Sequence, residues 1–250
     1  MSRIANAFAT KAKIAYLTAG DGAQSAEYFL ALARGGANVL EMGIPFSDPV
    51  ADGPVIQLAM QRALKDGTDI NKVLDIVRQI RSKTDAALIL FTYMNPIQKN
   101  LEKFVIDAKN AGADGVLVVD LPYEESAEFR FLCNKVGLAA IAVTAPSTPL
   151  ERIQLLSDSG AGFLYYACQR GTTGVKDALP DDLVARITQV KQHSKLPVAV
   201  GFGVSNNKMV RDILNVADGA VIGSYFVKAI ANGATPNELE KIAREVFDVK

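Results

Sequence analysis

The sequence predicts an α/β fold, a single-domain (β/α)8 TIM barrel with an extra N-terminal helix, over residues 1–250. Three observations predict this fold. The 250 residues fit one large domain, eight short apolar runs recur along them, and amphipathic stretches alternate with these runs. Continuous apolar strands that alternate with helices indicate a parallel sheet covered on both faces. Because no linker or shift in composition divides the chain, we expect the eight units to close into one barrel.

The eight apolar runs are the predicted strands, and each ends in small or special residues. They are residues 14–19, 38–43, 87–93, 115–120, 139–145, 162–167, 197–203 and 219–224. Amphipathic spacing predicts a helix from about Pro54 and others at Ser25–Arg34, Ile70–Arg81, Leu101–Asn110, Glu125–Lys135, Leu150–Ser157, Asp181–Gln192, Asn206–Leu214 and Asn237–Phe247. Phrases such as NAGADGVLVVD and NVADGAVIGS repeat one rhythm, a helix end, a Gly or Asp turn and then a strand.

An open, doubly wound sheet is the competing interpretation of the same alternation. Such a sheet usually has fewer strands and a phosphate-binding loop after the first strand. The first turn of this chain, TAGDGAQS, lacks the GxGxxG spacing of that loop. The barrel is therefore the favoured fold.

Histidine and cysteine are scarce in this chain. One histidine, at the predicted end of a helix, and two cysteines cannot supply the usual zinc or iron site, so we expect no metal. No lysine lies inside a later strand, where Schiff-base chemistry would need it. Acid and base work is therefore expected from carboxylates or tyrosines.

The charges of the chain balance, with 27 Lys and Arg against 27 Asp and Glu. This balance excludes the basic field that nucleic acid or an anionic membrane surface requires. No apolar run approaches the roughly 18 residues of a membrane helix. Together with the free thiols and the lack of a signal sequence, these features predict a cytoplasmic protein.

Glu41 is the strongest single indication of an active site. With a period of two, Leu40 and Met42 face the helices and Glu41 points into the barrel. An unpaired charge there would cost several kcal/mol, and apolar surroundings would raise the pKa toward the range of a general acid or base. The alternative is a structural glutamate paired with an interior Lys or Arg, but no later strand carries one.

Two aspartates follow Glu41 in the proline-rich loop IPFSDPVADGP. Proline stiffens a long loop and so reduces the entropic cost of holding Asp48 and Asp52 in place. Asp52 precedes Gly-Pro at the start of a predicted helix, where an aspartate often serves as the cap. The residues alone leave Asp52 open between a cap and a second carboxylate of the pocket.

Three glycine turns lie late in the chain, at residues 171–174, 201–205 and 223–226. Glycine lets backbone N–H groups approach an anion, and a helix that begins just beyond adds its positive end. These turns predict a phosphorylated substrate held by backbone groups, at the corner where barrel enzymes often bind phosphate. The aromatic side chains at strand ends are either pocket walls for a flat ring or core filler: Tyr16, Phe46, Tyr93, Tyr165 and Phe202.

The stretch LEMGIPFSDPVADGPVIQ, followed in order by YMNP, VVDLPYEES, YYACQRGTTG and GFGVS, resembles the tryptophan synthase alpha subunit family across the whole chain. The resemblance implies a (β/α)8 barrel that cleaves indole-3-glycerol phosphate to indole and glyceraldehyde 3-phosphate. It also implies an α2β2 heterotetramer with a beta subunit that holds pyridoxal phosphate and consumes the indole. No cofactor is implied for this chain.

Roles follow from the same resemblance by matching positions. Glu41 matches the general acid/base, Asp52 matches the carboxylate that stabilises the protonated ring through its N–H, and Thr173 matches a threonine that closes over the site. Asp48 resembles a residue that reaches the partner subunit. The phosphate positions are Gly174, Gly203, Gly223 and Ser224, and the pocket positions are Tyr16, Tyr93, Tyr165 and Phe202.

Several residues depart from the family pattern. Thr172 stands where valine is usual, Cys168 where serine is common and Gln169 where some members have arginine. Gly22 replaces the proline that often follows Gly20 and Asp21. None of these changes affects the two carboxylates, but those near Thr173 bear on how the loop closes. Two alternatives stay open, a stand-alone lyase and an allosteric subunit with weak activity of its own.

Overall fold

The computed structural model describes residues 1–168, 182–201, 203–204 and 206–248. Eight parallel strands form a closed barrel in the order β1 to β8, which confirms the predicted fold. The strands are β1 Ala12–Thr18, β2 Val39–Gly43, β3 Ala87–Thr92, β4 Gly115–Val118, β5 Ala139–Thr144, β6 Leu164–Ala167, β7 Val198–Gly201 and β8 Gly219–Ile222. β8 ends two residues earlier than predicted because Ser224 already begins a helix.

Helices surround the barrel and alternate with its strands. In the described residues they are α1 Arg3–Ala9, α2 Ser25–Arg34, α3 Pro54–Lys65, α4 Ile70–Arg81, α5 Asn95–Gln98, α6 Leu101–Ala111, α7 Ala127–Val136, α8 Leu150–Ser159, α9 Leu183–Gln192, α10 Asn207–Val216, α11 Ser224–Ala231 and α12 Pro236–Phe247. α7 begins later than predicted because a 3-10 turn occupies Tyr123–Glu125. α5 and α11 are additions to the predicted elements. No helix in the described ranges is long and apolar enough to cross a membrane.

The predicted N-terminal helix, α1, closes the end of the barrel at which the strands begin. Ser2 caps it by accepting a hydrogen bond from the backbone N–H of Ala5. Ile4 is buried against the barrel, and the rings of Phe8 and Phe163 lie 5.0 Å apart. This helix therefore leaves the opposite end of the barrel as the open one.

Three polar side chains repeat one arrangement at the closed end. Asn38, Asp114 and Asp218 each directly precede an even-numbered strand, and each accepts a hydrogen bond from the backbone of the preceding odd-numbered strand. The accepted bonds are 2.7 Å from Lys13 N, 2.9 Å from Leu88 N and 3.0 Å from Val198 N. The side chains thus fix the stagger between neighbouring strands, which a closed barrel requires.

Candidate active site

A cavity of about 210 Å³ lies at the carboxyl ends of the strands. Parallel strands place their carboxyl ends on one rim, so side chains far apart in sequence meet there. Polar groups from β2 and from the loops that follow β2, β7 and β8 converge in this cavity. The residues that line it include Tyr16, Glu41, Asp52, Phe91, Tyr165, Gly203, Gly223 and Ser224.

Glu41 lies in the middle of β2, between Tyr16 on β1 and Ile89 on β3. Its side chain is fully buried, and within the described part of the chain neither carboxylate oxygen has a hydrogen-bond partner. Burial raises the pKa of Glu41 from 4.5 to about 8, because removal from water disfavours the charged form. The group is therefore largely protonated at neutral pH and able to exchange its proton with a bound molecule.

Asp52 lines the same cavity and is held by a tyrosine. The hydroxyl of Tyr93 donates to Asp52 Oδ2 at 2.7 Å and accepts from the backbone N–H of Ala51 at 3.0 Å. Burial raises the pKa of Asp52 to about 6, against the lowering effect of the bond from Tyr93. Asp52 is therefore ionised at neutral pH while Glu41 is protonated, so the cavity holds one carboxylate in each state.

The start of α3 decides between the two interpretations of Asp52. The N-cap residue of this helix is Gly53, so Asp52 does not occupy the cap position. The backbone carbonyl of Asp52 accepts a 2.8 Å hydrogen bond from Gln57 Nε2 on the first turns of α3. The helix thus anchors the backbone of Asp52 and leaves its carboxylate at the cavity.

Two tyrosines enter the cavity over glycines in the same way. Gly43 pairs with Thr18 in the β1–β2 register, and Tyr16 lies two residues before Thr18. In the same way Gly201 pairs with Ala167 in the β6–β7 register, and Tyr165 lies two residues before Ala167. A Cβ atom on Gly43 would lie 2.2 Å from Tyr16 Oη, and one on Gly201 would lie 2.3 Å from Tyr165 Oη. Both glycines therefore provide the space for a phenol group at the cavity wall.

One end of the cavity offers backbone groups to which an anion can bind. Ser224 is the first residue of α11 and is buried, and Gly223 precedes it as the N-cap residue. The N-terminus of α11 presents free backbone N–H groups and the positive end of the helix dipole. Gly203, just after β7, lines the same end. These groups supply positive potential without a basic side chain.

The structure brings together most of the predicted site residues that it describes. Tyr93 does not line the cavity but lies behind Asp52, with its ring 5.3 Å from that of Phe46. Asp48 is exposed and accepts a 2.5 Å hydrogen bond from Ser47 Oγ. Three predicted residues lie outside the described residues: Thr173, Gly174 and Phe202. In the described ranges no group of His, Cys, Asp and Glu is arranged to hold a metal.

Sequence reasoning missed part of the apolar wall. Phe91 lines the cavity from β3, and its ring contacts Tyr16 edge-on at 5.5 Å between centroids. Val119 and Val143 line the cavity from the ends of β4 and β5. Extending the period of two from Glu41 across the sheet would have identified Phe91, since Gly43 pairs with Phe91 in the register.

Comparison with known proteins identifies relatives that match the whole chain. Residues 4–249 match the family model described as tryptophan synthase alpha chain. A tryptophan synthase alpha chain of Coxiella burnetii is 48% identical over 98% of this chain and 97% of its own length. The tryptophan synthase subunit alpha of Legionella pneumophila, a solved structure, is 35% identical with a TM-score of 0.87 and full coverage of both chains. A chain of the tryptophan synthase complex of Pyrococcus furiosus is 37% identical with a TM-score of 0.87, over 95% of this chain and 98% of that one.

Proposed function

We infer the function from two facts together: the chain belongs to the tryptophan synthase alpha chain family, and its cavity joins two carboxylates to an anion-binding end. We propose that it cleaves indole-3-glycerol phosphate to indole and glyceraldehyde 3-phosphate. The reaction is a retro-aldol cleavage that needs proton transfer at a ring carbon and at a hydroxyl. It therefore calls for a carbon–carbon lyase with acid and base groups.

The observation that carries this proposal is a fully buried Glu41, with unpaired carboxylate oxygens, in the same cavity as Asp52. Burial raises the pKa of Glu41 to about 8 and that of Asp52 to about 6, and the hydrogen bond from Tyr93 opposes the rise at Asp52. A group that both gives and takes a proton works best with a pKa close to the working pH. Glu41 meets this condition, and its unpaired oxygens leave it available to a substrate.

The chemistry follows from these two pKa values. Glu41 gives its proton to the ring carbon that carries the glycerol chain, and the resulting cationic ring is stabilised by Asp52 through the ring N–H. The Glu41 carboxylate then takes the proton of the adjacent glycerol hydroxyl. The carbon–carbon bond breaks, its electron pair restores the aromatic ring, and the hydroxyl carbon becomes the aldehyde. Asp52 stabilises a charge that exists only in the activated state, which is what catalysis requires.

The remaining lining supports the same assignment. Tyr16, Phe91 and Tyr165 provide aromatic surface for a flat ring next to Glu41. The phosphate is assigned to Gly203, Gly223 and Ser224, with Gly174 as a further donor. Phe202 is assigned to the pocket wall and Thr173 to closure of the loop over the substrate, which excludes water.

We also propose that the indole passes to a beta subunit that holds pyridoxal phosphate, in an α2β2 heterotetramer. The Pyrococcus furiosus relative is a chain of a tryptophan synthase complex, which supports a partnered chain here. Asp48 is assigned to the partner-facing surface. Val50, 75% exposed, lies close to it in the same loop and offers an apolar contact. Location in the cytoplasm stays a prediction.

The test is cleavage of indole-3-glycerol phosphate by the purified chain, with and without a beta subunit. A Glu41→Gln variant is expected to lose a factor of about 100 or more in turnover. The matched control is Glu128→Gln, which changes an exposed glutamate on α7 and should keep full activity. Normal turnover by Glu41→Gln would contradict the mechanism.

The same assay separates the two alternatives. Rapid turnover without any partner would favour a stand-alone lyase. Turnover that stays low even with the partner, and is insensitive to Glu41→Gln, would favour an allosteric subunit. The intact pair of carboxylates at the cavity argues against the second outcome.

A further inference from the structure

The barrel wall opens between β4 and β5 on the side of the active-site cavity. Pairing of these strands ends at Leu117 and Ile141. Beyond that point Val119 N donates to Thr92 O on β3, while Val143 pairs with β6. The ends of β4 and β5 therefore follow different neighbours and separate from each other.

A second pocket, of about 320 Å³, lies outside this separation, between α7 and α8. α7 packs on α6 and β5, and α8 packs on α9 and β5, so a groove remains between the two helices. Val119 and Val143 line both this groove and the active-site cavity. The groove is thus one side chain away from the cavity. Its volume falls in the range of small-molecule sites.

The groove exists because the outer face of β5 carries small side chains. Val143 faces the cavity, so the period of two turns Ala140 and Ala142 toward the helices. Larger residues at these two positions would fill the space that the helices leave. Phe129 on α7 and Leu156 on α8 are the apolar walls on either side.

One cation of this groove lacks an acidic partner. Arg130 lies over the ring of Tyr123 at 4.5 Å, and its Nη1 donates to Tyr123 O and to Ser126 Oγ. Among the described residues Arg130 makes no salt bridge, whereas Arg152 beside it is paired in a bidentate manner with Glu124. The remaining N–H groups of Arg130 are free to bind an anion.

One carboxylate also lines the groove. Asp120 is exposed, and its Oδ1 accepts a 2.7 Å hydrogen bond from the backbone N–H of Met94, on the far side of β4 from the helices. It is therefore partly engaged by the neighbouring loop, while Arg130 is braced against the groove by an aromatic ring.

We propose that the groove between α7 and α8 is a second ligand site, specific for a small aromatic carboxylate. The flat ring lies on Ala140 and Ala142 between Phe129 and Leu156, and the carboxylate binds Arg130. This ligand differs from the substrate of the active site, which carries a phosphate. Because Val119 and Val143 line both spaces, a molecule in the groove contacts the wall of the cavity.

The experiment is a titration of the full chain with indole-3-acetate, followed by NMR with carbon-13-labelled alanine methyl groups. Ala140 and Ala142 report on the groove, and Ala51 and Ala167 report on the cavity, which they line. We expect saturable chemical-shift changes at the methyl groups of Ala140 and Ala142. The changes at Ala51 and Ala167 should be clearly smaller. The opposite pattern would locate the ligand in the cavity and overturn the proposal. This readout does not depend on any catalytic activity.

Three variants complete the test. Arg130→Gln should weaken binding of indole-3-acetate by about tenfold, the effect of one charge-assisted hydrogen bond, and Ala142→Leu should abolish it by filling the groove. Arg211→Gln, on α10 outside the groove, is the matched control and should bind as the unmodified chain does. Equal affinity of the unmodified chain and all three variants for indole-3-acetate would overturn the proposal. So would binding of uncharged indole, followed at Ala140 and Ala142, that is as tight as binding of indole-3-acetate.

Discussion

The hydroxyl of Tyr93 lies 2.7 Å from Asp52 Oδ2 and 3.0 Å from the backbone nitrogen of Ala51. One phenol group thus bridges the end of β3 to the loop that follows β2. It fixes the position of a buried carboxylate, and its donation to the charged form opposes the rise in the pKa of Asp52 that burial causes.

The first prediction concerns this bridge. Tyr93→Phe keeps the ring that packs on Phe46 but removes the bond that opposes the effect of burial, so the pKa of Asp52 should rise above its present value of about 6. Because the proposed mechanism uses the ionised form of Asp52, the acidic limb of the kcat/KM profile should move to higher pH. The loss of activity is expected to be larger at pH 6 than at pH 8. Tyr28→Phe, which changes a tyrosine on α2, is the control, and an unshifted acidic limb in Tyr93→Phe would contradict the assignment.

The second prediction concerns pH and stability. The pKa of Glu41 is raised from 4.5 to about 8, so the native state keeps a proton that the unfolded state releases, and stability is lost as the pH rises through this window. Asp52 acts in the same direction, but only between 3.8 and about 6. From pH 6 to 8 the free energy of unfolding should therefore fall by about 2 kcal/mol relative to Glu41→Gln. Urea denaturation at both pH values measures the free energy of unfolding. An equal change between pH 6 and pH 8 in the unmodified chain and in Glu41→Gln would contradict the prediction.

The third prediction concerns the glycine beneath Tyr16. The added Cβ of Gly43→Ala would lie 2.2 Å from Tyr16 Oη and must displace this phenol, which lines the cavity. We expect a higher KM and a loss of about 1–3 kcal/mol in the free energy of unfolding, as for other overpacked sites. In a Tyr16→Leu background the same change should cost clearly less, because the clashing atoms are gone. Additive losses in the double variant would show that the clash is not the cause.

The fourth prediction separates stability from activity. Asp114 accepts hydrogen bonds from Leu88 N and from Arg81 Nη2, and the side chains of Asp114 and Arg81 are only 14% and 15% exposed. Asp114→Asn should cost about 2–3 kcal/mol of folding free energy, since it leaves a poorly solvated cation without its counter-charge. Asp218→Asn should cost less, about 1 kcal/mol, because Lys191 is 36% exposed.

Thermal denaturation measures the loss of stability in Asp114→Asn and Asp218→Asn, and steady-state kinetics measures KM and kcat. Both residues lie at the closed end of the barrel, so KM and kcat should stay unchanged in either variant at temperatures below unfolding. A change in KM would instead couple the closed end of the barrel to the active site.

The fifth prediction concerns the anion-binding end. Ser224→Asp would add a negative charge at the first residue of α11, next to the expected phosphate. We expect KM for the phosphorylated substrate to rise about 10-fold to 100-fold through repulsion at short range. Ser224→Ala is the control and should raise KM much less, because the backbone donors remain. Similar KM values for the two variants would argue against a phosphate at this position.

The order of the elements and the inward position of Glu41 could be predicted from local patterns. Apolar runs separated by amphipathic stretches predict parallel strands and helices, because both periods are properties of the backbone itself. Glu41 was predictable in the same way, since alternation on one strand decides which side chains point inward. The regular repetition of the units also predicted closure of the sheet.

The state of Asp52 required the tertiary structure. A loop aspartate before Gly-Pro has the same local sequence whether it caps a helix or lines a cavity. Its role depends on Tyr93, which is 41 positions away in sequence, and on a burial that only the assembled barrel produces. The same holds for the groove between α7 and α8, because the separation of β4 from β5 depends on which neighbouring strand each one follows.

The sequence by itself determined the barrel and the inward carboxylate, since these follow from periodicity and chain geometry. Only the tertiary structure decided that Asp52 lines the cavity and how far its pKa rises. Proton affinity depends on distance from water and from other charges, and those distances exist only once strands and loops from separate parts of the chain have come together.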